Sequence, residues 1–189
     1  MDAVRELLAE GRFQEATVEQ VAERAGVSRA TVYQHFRSRT GLIDAICDTI
    51  GEAPEFVALI RSLDLPDARD ALRSVVTHSA RFLAAEEGLH RHLYGLAEFD
   101  PAAAAFVTRQ TQDRRRALLR LLQALQRQGS LRQGLSTDEA MATLLLLTSP
   151  RTFNELRQST EMSPERIGQV LSRIADETLL TPIEHKDRP

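Results

Sequence analysis

Residue types able to do chemistry are concentrated in one short stretch. Between positions 24 and 39 the chain carries Arg24, Arg29, Arg37 and Arg39 and no Asp or Glu. Acids crowd both flanks: Glu15, Glu19 and Glu23 before it, Asp44 and Asp48 after it. A guanidinium donates two parallel hydrogen bonds, so Arg29 suits the guanine edge, and the Gln34 amide suits adenine. Ala30 and Thr31 offer methyl contact to thymine. Tyr33, His35 and the Thr17 hydroxyl suit phosphate oxygens, which fix register without carrying sequence information. Arg39 opens a predicted helix, where guanidinium and helix N-terminus can clamp one phosphate together.

Other chemistries find weaker support. His90 and His92 stand about 200° apart on a helix and cannot chelate one ion from its surface, and His78 stands alone. No metal site and no cofactor are expected. Cys47 is the only cysteine, so no internal disulfide forms, and its neighbours Ile43, Ile46 and Ile50 point to a small buried residue. There is no Gly-rich phosphate loop, nucleophile elbow or recognisable carboxylate pair, so an enzyme is not expected. Arg114, Arg115 and Arg116 point in three directions from a helix beside Asp113, the pattern of a solvated face.

The elements that must position these residues are helical, with almost no period-two alternation. A first helix is predicted over 2–10, ended by Gly11. A second begins at Thr17, where Thr17 and Gln20 form a capping box, and Val18, Val21, Ala22 and Ala25 make its inner side. Gly26 breaks it, and Ser28 caps a third helix running to 35 or 36. On that helix Ser28, Val32 and Phe36 fall together and face inward with Val27. Ala30, Gln34 and Arg37 point the opposite way, flanked by Thr31 and Tyr33. A fourth helix is predicted over 39–51. Later helices are predicted over 55–63, 67–86, 88–98 and 101–128, the last opened by Asp100 and Pro101. A helix over 136–157 should be kinked at Pro150, and Ser163 should cap a final helix. The tail from Thr181 is expected to fray.

Two short helices joined at a Gly-containing turn are the helix-turn-helix pattern, over 17–36. Ala25-Gly26-Val27-Ser28, then Thr31-Val32-Tyr33-Gln34-His35-Phe36, then Ser38-Arg39 and Leu42, resembles the N-terminal signature of the TetR family of regulators. The resemblance implies an all-α chain: a three-helix DNA-binding domain, a linking fourth helix, and a larger domain that binds an effector and dimerises. It implies Tyr33 and His35 on phosphates and gives Arg39 the role of the basic residue, commonly Lys, that opens helix four. It implies Thr17 capping helix two, and Arg29, Ala30, Thr31 and Gln34 facing the groove; with the cap Ser28 these make the expected DNA-facing set. Many members carry a basic arm before helix one. This chain begins almost at that helix, so weaker non-specific binding is expected.

Domains are accordingly expected at 1–52, for DNA binding, and 53–189, for effector binding and dimerisation. The expected partners are a double-stranded DNA operator, a small-molecule effector and a second copy of the chain. Effector sites are mostly apolar with a few polar anchors, which nominates Phe82, Leu89, Leu93, Tyr94, Phe99, Phe106 and Phe153 as walls. The dimer is expected through Met141, Leu144, Leu145 and Phe153 with Ile167, Val170, Leu171 and Ile174, as a four-helix bundle across a two-fold axis. A net charge of −3 argues against non-specific nucleic-acid binding, yet binding depends on where charge sits. The longest run of large apolar residues, Leu144–Leu147, is too short to span a bilayer, and the N-terminus carries acids; no membrane partner and a cytoplasmic location are expected. The competing class is a small-molecule carrier or sensor whose helix-turn-helix no longer binds DNA, which an arginine-bearing, acid-free third helix opposes.

Overall fold

The computed structural model describes residues 2–13 and 15–182, and for Arg39 and Cys47 the backbone alone. Eleven helices follow one another among them: α1 (Asp2–Ala9), α2 (Val18–Arg24), α3 (Arg29–Phe36), α4 (Arg39–Gly51), α5 (Pro54–Ser62), α6 (Ala68–Ala85), α7 (Glu87–Leu96), α8 (Pro101–Arg127), α9 (Thr137–Leu147), α10 (Pro150–Ser159) and α11 (Pro164–Leu179). The chain is all-α; the described residues hold no strand beyond one isolated antiparallel bridge, Leu131 to Leu180.

Local hydrogen bonds set most helix starts. Thr17, Ser28, Ser38, Ser136, Ser149 and Ser163 each accept from a backbone N–H of the first turn that follows. Each such cap satisfies a donor the helix cannot satisfy internally, worth about 1 kcal/mol. Asp100 does the same for α8, its Oδ1 accepting from Ala102 at 2.9 Å and Ala103 at 3.2 Å.

Two compact units emerge, one of residues 2–57 with 82–113 and one of 58–81 with 114–182. They are drawn differently from the functional division expected at residue 52, because the first unit has one continuous core. Val4, Leu7 and Leu8 of α1 meet Val21 and Ala22 of α2, Val32 of α3, Leu42, Ile43, Ile46 and Ile50 of α4, and Leu89, Leu93 and Leu96 of α7. Removing such side chains from water stabilises by about 1.5–3 kcal/mol each, so α7 anchors α1 along with α4. Arg5 of α1 adds a polar tie, donating from Nε to Glu86 at 2.7 Å and from Nη1 to Thr49 at 3.1 Å. In the second unit Leu118, Leu121, Leu122 and Leu125 of α8, Ala140, Met141 and Leu144 of α9, Phe153 of α10, and Ile167 and Leu171 of α11 are buried.

Three local expectations are corrected. The segment 136–157 is two helices, not one kinked helix: Ser149 caps a new start and Pro150 takes its first position, where a missing N–H costs nothing. Ala25 and Val27 do not face inward; both are exposed, Val27 at 42%, because the turn between α2 and α3 carries them outward. Thr181 is tied down rather than frayed, its N–H donating to the Ser130 carbonyl at 3.0 Å and its hydroxyl to the Leu131 carbonyl at 3.0 Å. The expected fraying beyond 182 lies outside the described residues.

Candidate nucleic-acid interface

Thr17 and Gln20 form the reciprocal capping box that starts α2: Thr17 N–H donates to Gln20 Oε1 at 2.8 Å and Gln20 N–H to Thr17 Oγ1 at 3.2 Å. The helix ends in a paired closure, Val27 N–H on the Ala22 carbonyl at 3.0 Å and Gly26 N–H on the Glu23 carbonyl at 3.1 Å. That closure needs a left-handed residue, which Gly26 supplies with φ +65°. Ser28 then caps α3, accepting from Thr31 N–H at 3.1 Å, with its hydroxyl 2.9 Å from that of Thr31.

The joint between α3 and α4 uses Arg37, which sequence reasoning placed only on the outward face, and Gly41, which it did not single out. Arg37 has φ +57°, a conformation disfavoured for residues bearing a Cβ, and it turns the chain sharply after Phe36. A Cβ at Gly41 would overlap the Phe36 carbonyl oxygen, so only glycine lets α4 approach this closely. A glycine in the first turn of an otherwise good helix was the available signal.

Val32 anchors α3 in the core and Phe36 is half-buried. Thr17, Ser28, Arg29, Ala30, Tyr33, Gln34 and His35 are all exposed; Thr31, like Phe36, is half-buried. The expected DNA-facing residues are therefore brought together around one exposed helix, except that the Arg39 side chain lies outside the described residues. No acid lies on α3 itself.

Tertiary contacts redistribute the charge. Arg24 is drawn to α1, its Nη2 2.5 Å from Glu10 Oε1 and its Nε 3.1 Å from Glu6 Oε2. The hydrogen bond from Arg24 holds the Glu10 carboxyl below its ordinary range, and the Arg24 guanidinium is raised in turn. Arg29 Nη1 lies 2.5 Å from Glu19 Oε1 of α2, and its Cζ stands 5.3 Å from the centre of the Tyr33 ring. The Tyr33 hydrogen bond, then attraction to Glu19, raises the Arg29 guanidinium further above its usual value. The island of four arginines is thus partly neutralised, by acids lying 10 to 18 positions away in sequence. Among the described residues Arg37 forms no ion pair and is exposed.

The effector and dimer candidates fare differently. Leu89, Leu93 and Phe106 belong to the first unit's core, and Phe99 is 79% exposed. Phe82 is half-buried in an aromatic group, 5.3 Å from Phe56 and 4.7 Å edge-on to His90, while Tyr94 is half-buried. Phe153 lies in the second unit, 1% exposed. Met141, Leu144, Phe153, Ile167 and Leu171 are at most 5% exposed within the single chain, so they build the protomer's own core and cannot form an interface as it stands. Of the expected dimer set, Leu145 and Val170 are half-buried and Ile174 is 36% exposed; Leu146, 61% exposed, was not foreseen. Periodicity identifies an apolar stripe but not which part of it a neighbouring helix covers. Among the described residues no three of His, Cys, Asp or Glu are grouped to hold a metal, and no helix is long and apolar enough to cross a membrane.

Known proteins share this sequence pattern and this fold. Residues 1–46 match the family described as bacterial regulatory proteins, tetR family. The uncharacterized HTH-type transcriptional regulator YdeS of Bacillus subtilis strain 168 is 32% identical over 73% of this chain and 68% of its own. The TetR family transcriptional regulator PfmR of Thermus thermophilus has the same fold, with TM-score 0.72 at 19% identity, over 95% of this chain and 98% of that one. So does a transcriptional regulator from Saccharomonospora viridis in complex with choline, TM-score 0.77 at 18% identity, over 96% and 95%. With its capped helix-turn-helix and helical remainder, this chain belongs to the TetR family of bacterial transcriptional regulators.

Proposed function

We propose that the protein is a dimeric repressor that occupies a near-palindromic operator and leaves it when a small molecule binds the helical region beyond residue 52. The carrying observation is the exposed, acid-free face of α3, with Arg29, Ala30 and Gln34 outward on a helix anchored by Val32. Two such helices, about 34–36 Å apart in a dimer, would enter successive major grooves. Arg29, Ala30, Thr31 and Gln34 would read bases, while Thr17, Ser28, Tyr33, His35 and Arg39 would hold the sugar-phosphate backbone.

Release needs the effector to favour a state whose helix spacing misfits the operator. A coupling of about 1–3 kcal/mol lowers affinity about 5–150-fold. Helix α4 is the proposed lever, since it packs on α3 and shares the core with α7. An effector is supported by the Saccharomonospora viridis regulator, whose complex holds choline. The effector of the present chain would be recognised by the aromatic group around Phe82 and Tyr94 rather than by the buried core leucines.

Two substitutions test the division of labour on DNA selected by the purified protein. Arg29→Ala should lose about 1–3 kcal/mol of binding and relax preference at one base pair. Arg39→Ala should weaken all sequences alike and lower the salt slope by about one unit. Identical effects from both would refute the assignment. Absence of any shift at low salt on the DNA upstream of its own gene would favour the carrier reading.

A further inference from the structure

Arg29 is the first residue of α3, the place on a recognition helix nearest the bases. A long arginine on an exposed helix would ordinarily sweep many rotamers and meet whichever phosphate came first. Here two neighbours restrain it. The Glu19 carboxylate, reaching across from the first turn of α2, meets Nη1 at 2.5 Å. The Tyr33 ring, one turn along α3, lies against the guanidinium with Cζ 5.3 Å from its centre. Both side chains of the ion pair remain more than half exposed, 59% for Arg29 and 51% for Glu19, so a groove edge can still approach. A guanidinium carries five N–H donors, and a contact through one nitrogen leaves others for a base.

We infer that Glu19 and Tyr33 are positioning residues for Arg29, which hold its guanidinium toward one base edge and withhold its charge from phosphates, so that they set sequence discrimination. The inference rests on the DNA-reading role proposed above. Its electrostatic logic is direct. A phosphate senses the paired Arg29 and Glu19 as nearly neutral, whereas a guanine edge is read by hydrogen-bond geometry that the carboxylate keeps in place. Arg24, held by Glu6 and Glu10, contributes no opposing attraction. Sequence-independent grip is thereby kept low and the orienting contact kept stiff.

The experiment compares the full chain with Glu19→Gln, Glu19→Asp, Arg29→Ala and the Glu19→Gln/Arg29→Ala double variant. Each is titrated, across a salt series, with the selected operator, with that operator altered at the base pair Arg29→Ala relaxes, and with a random duplex of equal length. Glu19→Gln should tighten the random duplex about three- to tenfold and steepen its salt slope by about 0.9, the contribution of one phosphate. It should also lose most of the preference at the altered base pair, which Glu19→Asp should partly restore. In the double variant Glu19→Gln should remove no preference beyond that lost with Arg29→Ala. If Glu19→Gln instead strengthens operator and random duplex equally with preference intact, Glu19 is merely a competitor and the inference fails. No change at all sinks it equally. Failure of the wild-type chain to prefer any sequence would remove the DNA-reading role itself, a result distinct from a discriminating protein indifferent to residue 19.

Discussion

His90 is an imidazole 5% exposed, set edge-on against Phe82 and near the Arg5–Glu86 pair. Burial lowers its pKa to about 4; Glu86 pulls upward and Arg5 pushes down, with a small upward contribution from the Phe82 backbone. The ordinary value is 6.5, so above that pH both folded and unfolded chains hold a neutral ring. As pH falls below 6.5 the unfolded chain takes a proton that the folded chain refuses. Stability therefore declines between about pH 6.5 and 4 and levels off below, by at most about 3 kcal/mol. Urea unfolding at about pH 7 and about pH 5 should show this fall in the wild type and a smaller one in His90→Leu. Equal falls in both would show that the carboxylates, not His90, govern acid sensitivity.

At the scale of elements, the DNA-reading helices depend on two glycines with different roles. Gly26 supplies a left-handed φ, and a Cβ there would meet nothing within 4 Å. Gly26→Ala should cost only the conformational penalty, about 1–2 kcal/mol, and leave the fold intact. Gly41 faces the Phe36 carbonyl, a backbone atom that cannot move without shifting the end of α3. Gly41→Ala should therefore displace α3 relative to α4 and abolish operator binding, even if the remaining helices stay formed. Circular dichroism with thermal melting, beside an operator shift, separates the two outcomes. A Gly41→Ala protein that binds like wild type would refute the proposed role of this joint. The start of α2 is sturdier, since its capping box satisfies donors from both partners at once.

For the whole molecule, the proposed dimer must use apolar surface the single chain leaves open. Leu146 of α9 is 61% exposed and Ile174 of α11 is 36% exposed, while their neighbours Leu144 and Ile167 are fully covered within the chain. Burying a leucine is worth about 1.5–3 kcal/mol, and placing a carboxylate there reverses the sign. Leu146→Glu should shift sedimentation toward a monomer and weaken operator binding strongly, because one recognition helix cannot span both half-sites. An unchanged dimer would move the interface away from this part of α9. The overall charge of −3 and the ion pairs of Arg24 and Arg29 agree with a protein that holds random DNA loosely.

What the amino-acid order determined by itself was local. The caps at Thr17, Ser28 and Ser163, the break at Gly26 and the span of α4 over 39–51 were all legible. Each depends on hydrogen bonds or torsions within a few residues, so neighbours in sequence are the neighbours that matter. The helix-turn-helix and its outward face followed from these. Only the tertiary structure decided where charge and apolar surface finally reside. Arg24 finds Glu6 on α1 and Glu10 just past its end, Arg29 finds Glu19 on α2, and much of the apolar stripe on α9 and α11 goes into the chain's own core. Coulomb attraction and burial depend on distance through space, and a helical period reports which residues share a face without saying what that face meets.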